Sequence, residues 1–220
     1  MSSTLRPRRA LAAIVLAAPM AAALTATAPA HASTTTWTVV NPNGNGAFSA
    51  VSGQLTVKNK SGATVFTCPS LSSTGSLPAG TRTTSGLGAI KSTNPVTCTS
   101  PDGTSWQGMF TAAAGPSNLT ATSYSAATGT TSITNGDQFN SINLVFRTAV
   151  GYSCAFWTHH TAMTYTNATS TLKATTAVVK LATDDGGATL CQGLFTQGET
   201  ITFATEYKLT PAIKITATVS

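Results

Sequence analysis

Charge is scarce in this chain. Lysine, arginine, aspartate and glutamate make up 8% of its 220 residues, against roughly 25% in an average soluble domain. Disordered chains combine high charge with low hydrophobicity. With 41% hydrophobic residues, this chain has neither property, so a packed core is expected. Helical periodicity is missing as well. Beyond the N-terminal segment, Ala112 to Ala114 is the only helical hint, and Gly115-Pro116 stops it. No later run is apolar enough to cross a membrane as a helix.

Reactive motifs are also wanting. There is no C-x-x-C pair and no histidine at zinc spacing from a cysteine. There is no G-x-S-x-G elbow, and Asp184-Asp185-Gly186-Gly187 fails the EF-hand spacing. Lysine and arginine are scattered singly, as at Arg82, Lys91 and Arg147. Only Lys58 and Lys60 stand close, and they flank a turn. A nucleic-acid interface needs them clustered, so none is expected; nor is a metal or other cofactor.

What is present begins with a targeting pattern. Arg6, Arg8 and Arg9 precede a run of small and apolar residues from Leu11 to Leu24, and Ala30-His31-Ala32 follows. This is the charged, apolar and small-residue order of a secretory signal. Residues 1–32 therefore read as a signal peptide and 33–220 as a secreted β domain. Arg8-Arg9 also suits a twin-arginine leader, but the following residues favour the general route. Without the leader, nine basic residues face six acidic ones, a net charge of about +3.

The 4 cysteines, Cys68, Cys98, Cys154 and Cys191, all follow the leader. An even count in an exported chain reads as two disulfides. Of three possible pairings, Cys68–Cys98 and Cys154–Cys191 close the shortest loops. They divide the chain into two stapled halves, about 33–135 and 136–220.

Turn dipeptides recur, among them Asn45-Gly46, Ser61-Gly62, Asp102-Gly103, Thr128-Gly129, Asn135-Gly136 and Asp185-Gly186-Gly187. Short β-branched and aromatic runs lie between them, which is a hairpin signature. Ile201, Phe203, Tyr207 and Leu209 alternate with Thr202, Glu206 and Lys208. Ile213, Ile215 and Val219 alternate with Lys214, Thr216 and Thr218, and Ile142, Leu144 and Phe146 with Asn143 and Arg147. Period two with one polar face means antiparallel sheet. The expected fold is all-β, an antiparallel sandwich or barrel built from hairpins.

The chain resembles small secreted all-β proteins of actinobacteria. The resemblance rests on the Ala-rich leader, the Ser/Thr/Gly-rich stretch after Cys68, and Gly86-Leu87-Gly88-Ala89-Ile90 before Cys98. It also rests on Thr205-Glu206-Tyr207-Lys208-Leu209-Thr210-Pro211 near the end. It implies export, an all-β fold and two disulfides, and it brings no catalytic residue, cofactor or substrate.

Candidate site residues are few. His159 and His160 are adjacent, so in a strand they face opposite ways and cannot share a metal. Asp102, Asp137, Asp184 and Asp185 sit in turn-like sequence, and Glu206 on a solvent face, so the paired carboxylates of a glycosidase are not apparent. Trp37, Trp106, Trp157 and Tyr124 are the aromatics that would stack on a ligand, unless they pack the core. The leading expectation is a secreted, non-enzymatic extracellular or cell-envelope protein. The first alternative is a domain binding cell-wall polysaccharide or a small apolar ligand. The second is a secreted hydrolase. A membrane-inserting β oligomer is disfavoured by Thr, Lys and Glu on the outward faces. Cleavage is predicted after Ala32: N-terminal sequencing of the exported protein should start at Ser33, and an intact Met1 in a membrane fraction would refute it.

Overall fold

The structure, a computed structural model, describes residues 33–220 apart from 113–115, 136–141, 152, 182–190 and 192. Within strands, the side chains of 92, 109–112, 142–144, 153, 159 and 181 are also left undescribed. The expected signal peptide, the Asn135-Gly136 and Asp185-Gly186-Gly187 turns, Asp137, and Asp184 fall wholly or partly outside. In the described residues the chain forms sixteen strands, β1 to β16, and no helix.

Three of the strands are long: β13 (Ser153–Thr166), β14 (Thr171–Leu181) and β15 (Thr200–Thr210). They pair antiparallel in that order and serve two closed rings. One ring runs from β15 to β3 (Leu55–Lys58), β4 (Thr64–Cys68), β8 (Val96–Thr99), β9 (Ser105–Ala112) and β12 (Ile142–Arg147), and returns to β13. The other runs from β15 to β2 (Ala47–Ser52), β5 (Ser72–Ser76), β7 (Gly86–Thr93), β10 (Ser117–Ser125) and β11 (Thr130–Asn135), and returns to β13. The architecture is thus two antiparallel barrels sharing three staves. Among the described strands, closure leaves neither ring an open edge to template further pairing. The two sequence halves both contribute strands to both barrels.

On β15 the buried residues Ile201, Phe203, Thr205 and Leu209 keep one phase throughout. The first two belong to one core and Leu209 to the other. Both barrels therefore close on the same face of the shared ribbon, one beyond the other along the strands.

The first core holds both disulfides, Cys68–Cys98 and Cys154–Cys191. Around them pack Phe66, Trp106, Phe146, Phe156 and Phe195. Phe66 stacks on Phe146 at 3.9 Å between centroids and meets the edge of Trp106 at 5.3 Å. Each fully buried ring contributes about 2–3 kcal/mol from area alone. Gly108 makes the close packing possible, since a Cβ there would lie 3.1 Å from both Cys98 Sγ and Phe146 Cε1. The indole of Trp106 donates to Ser100 Oγ at 2.9 Å, and that hydroxyl donates to Asp102. Asp102 Oδ1 also accepts from Thr104 N–H. Asp102 therefore shapes the β8–β9 hairpin turn. The bonds from Ser100 and Thr104 hold its carboxyl below the usual carboxylate range.

The second core is aliphatic by comparison. It is capped by a three-stranded sheet of β1 (Thr35–Val40), β6 (Gly80–Arg82) and β16 (Lys214–Val219). Trp37, Val39, Ile213 and Ile215 of this cap pack against Leu77, Leu119, Tyr165 and Leu209 of the barrel. Arg82 of β6 fastens it by donating to the Gly86 and Leu87 carbonyls of β7, and two barrel side chains hold the C-terminal segment. Tyr165 donates to the Ile213 carbonyl at 2.6 Å, and the Asn167 amide both donates to and accepts from the Ile215 backbone at 2.7 and 2.8 Å. Asn167 thus stands in for a neighbouring strand at that position. Val219, whose phase matches Ile215, is 69% exposed, because the cap extends past the barrel there.

Both bridges brace the same core, so removing one loosens the packing around the other. The double variant Cys68→Ala/Cys98→Ala should lose roughly 2–5 kcal/mol of stability, read as a lower denaturant midpoint. An unchanged midpoint would show that the aromatic cluster holds the barrel without the bridge.

Candidate ligand cavity between the two barrels

At the level where one barrel gives way to the other, the shared strands break step. On β13, His160 and Thr161 together oppose Ala177 of β14, because His159 pairs with Val178 and Ala162 with Thr176. This is a β-bulge. His160 takes φ +49°, a conformation that suits histidine better than β-branched residues. The bulge also shifts phase: Cys154, Phe156 and Thr158 point inward before it, and Thr161, Met163 and Tyr165 after it. On β14 the register slips between Ala174 and Thr176. Leu172 is buried on one side of the slip, Ala177 and Val179 on the other. Thr175 donates its hydroxyl to the Ala162 carbonyl at 3.0 Å, satisfying a group in the break.

Partners change at the same level. The β12 ladder on β13 ends at Thr158 and the β11 ladder begins at Thr161. On β15 the β3 ladder covers Thr202 to Ala204 and the β2 ladder starts at Tyr207. Thr205 and Glu206 lie in the gap.

A cavity of about 70 Å³ occupies this waist. Leu55 and Phe203 reach it from the first core, and Phe48, Ala50, Met163 and Leu172 from the second. Ala174 and Tyr207 line it and pack against both cores. Its polar lining consists of hydroxyls, and no charged residue faces it among those described. Ser73 and Thr93 bond each other at 2.7 Å, and Thr161 donates to Thr158 at 3.3 Å. Thr205 is 6% exposed, and its Oγ1 has no hydrogen-bond partner among the described residues. A cavity this size has room for several waters or one small organic molecule.

The outer side of β15 forms an open groove at the same height, with Gln54, Lys173, Thr202 and Glu206 on its walls. Lys173 and Glu206 form an exposed ion pair at 3.2 Å. Phe203 and Thr205 border both the groove and the cavity, so the wall between them is one strand thick.

The four aromatic candidates do not assemble. Trp37 is 4% exposed in the second core and Trp106 is 6% exposed in the first. Trp157 is half-buried with Lys180 Nζ 5.9 Å from its ring centroid, and Tyr124 packs against the second core. The cysteines are structural bridges. His160 is exposed in the bulge, and His159 has no described side chain. Among the described residues no three of His, Cys, Asp and Glu gather. Glu199 is buried, with Oε1 lacking a partner among the described residues.

The cavity residues come from seven strands, so no local motif marks them. One sign is present: position 205 shares the inward phase of Ile201, Phe203, Tyr207 and Leu209, and it alone is a threonine there. No family model, curated protein or solved structure matches this chain.

Burial raises the phenol pKa of Tyr207 and Tyr165 above the ordinary value near 10. The neutral forms are thus favoured by the fold. Their contribution is fully present below pH 10, and it is lost as pH climbs through the raised folded values, because the unfolded chain ionises first. Thermal stability should fall above pH 10, and Tyr207→Phe should flatten that fall. An identical pH profile for the variant would remove Tyr207 as its cause.

Proposed function

We propose that the chain is exported, loses residues 1–32, and acts outside the cytoplasm as a non-enzymatic protein that binds a small molecule at the waist cavity. The observation that carries this reading is a void with mostly apolar walls and no charged side chain among the described residues, lying between two well-packed cores. Packed interiors rarely keep such space, and pockets with apolar walls and few polar groups are the usual form of ligand sites. Export is supported by the leader pattern and by the two disulfides, which persist in oxidising compartments. A non-enzymatic role is favoured by the placement of Asp102, Glu206 and His160. Asp102 closes a turn, Glu206 pairs with Lys173, and His160 sits exposed in a bulge.

Xenon tests whether the cavity takes up an apolar guest. The methyl resonance of Met163 should shift saturably under xenon pressure, and Ala174→Leu, which fills the void, should abolish the shift. No response at Met163 in the wild-type protein would defeat the reading.

A further inference from the structure

We propose that Asn43 is a site of spontaneous covalent modification, cyclising onto Gly44 and opening to aspartate and isoaspartate, while the fold holds the neighbouring pair Asn45-Gly46 inert. The loop between β1 and β2 carries both pairs. Asparagine before glycine favours this reaction, because glycine has no side chain to hinder the approach of its nitrogen. Three Asn-Gly or Asp-Gly pairs lie wholly within the described residues, these two and Asp102-Gly103. In two of them the glycine nitrogen is engaged. Gly46 N–H donates to the Asn43 carbonyl at 2.8 Å, and Gly103 N–H to the Ser100 carbonyl at 2.9 Å. Gly44 N–H has no partner among the described residues. Gly44 is also exposed, with nothing within 4 Å of where a Cβ would stand.

The reaction needs only water. Water or hydroxide takes the proton from the Gly44 nitrogen, which attacks Asn43 Cγ. A C–N bond forms, the Cγ–Nδ2 bond breaks, and Nδ2 leaves as ammonia with a proton from water. A second water then opens the cyclic imide. Opening at Cγ leaves aspartate. Opening at the main-chain carbonyl leaves isoaspartate, with the backbone routed through Cβ and Cγ. The net change is one water consumed, one ammonia released and one carboxylate gained, with no change of oxidation state. The attack requires the nitrogen and Cγ to meet, so freedom of the Asn-Gly peptide decides which pair reacts. The exposed Asn43 side chain is held by one long bond, from Nδ2 to the Ala47 carbonyl at 3.3 Å. At the second pair, Asn45 Oδ1 accepts from Ala47 N–H at 2.9 Å. Gly46 is buried, and its carbonyl accepts from Asn41 Nδ2 and from Leu77 N–H, each at 2.8 Å. Its φ of +74° turns it closely past Pro78, where a Cβ would lie 2.7 Å from Pro78 Cα. The Gly46 nitrogen would have to leave its bond and swing a peptide that is clamped on both sides.

The test incubates the mature disulfide-bonded protein beside the same chain reduced and denatured, in mildly alkaline buffer, until half of Asn45 in the denatured chain has converted. Fragment-ion mass spectrometry of the digested peptides separates Asn43 from Asn45, and isoaspartyl methyltransferase labels the isoaspartate product. The expected result is conversion at both positions in the denatured chain and at Asn43 alone in the folded protein. Gly44→Ala, for which there is open space, should leave Asn43 intact over the same interval. Conversion of Asn45 as fast as Asn43 in the folded protein, or of neither, would overturn the assignment. So would conversion of Asn43 in Gly44→Ala at the parent rate. The loop lies outside the cavity lining, so these outcomes are separate from the binding reading.

Discussion

Three strands serving two barrels is the constraint from which the rest follows. Each of β13, β14 and β15 has to line one core, stop, and line another. β15 does so in one unbroken phase, but β13 and β14 fall out of step with each other at the waist. The bulge at His160–Thr161 and the slip at Thr175 solve the problem by inserting residues that restore the inward phase. They also leave a level at which side chains of the two cores face each other across a gap. The cavity sits at that level. Its hydroxyl lining follows from the same cause: Thr158, Thr161 and Thr205 occupy inward positions where the large apolar residues of one barrel end and those of the other begin.

The two cores are built differently for a reason that is visible in their closures. The first barrel is braced from inside, by two disulfides against a cluster of six-membered rings and an indole. The second relies on its cap, where Tyr165 and Asn167 tie the C-terminal strand to the barrel wall. Low charge is compatible with both. Many outward positions on the shared strands hold threonine, which fits a pleated surface, and the described ion pair Lys173–Glu206 lies across β14 and β15 on the outer face.

Local features of this fold are legible in the chain, and closed-ring topology is not. Alternation from Ile201 to Leu209 matches the burial of β15 position by position, because an antiparallel strand with one wet face writes its pattern directly into sequence. The two disulfides are legible from the even cysteine count and from short loop closure. The double ring is not, since it depends on β11 and β12 following one another along a single edge of β13, a long-range arrangement with no local sign. His159-His160 reads as an ordinary strand pair; the bulge there depends on the register of β14. Trp37 and Trp106 lie buried in different cores, because large aromatics are the most effective fillers of a barrel.

The cap sheet has a mechanical consequence. Thr34 and Ser220 exchange two backbone hydrogen bonds at 3.0 and 3.1 Å, and from there β1 and β16 run antiparallel as neighbours. Tension applied through the chain before Thr34 and through Ser220 would fall on that first bridge alone. The strands would then separate bond by bond, like a zip, where barrels pulled along their staves resist by many bonds at once. Force would peel the cap away at low load. The disulfide-braced barrel would be the last region to feel it.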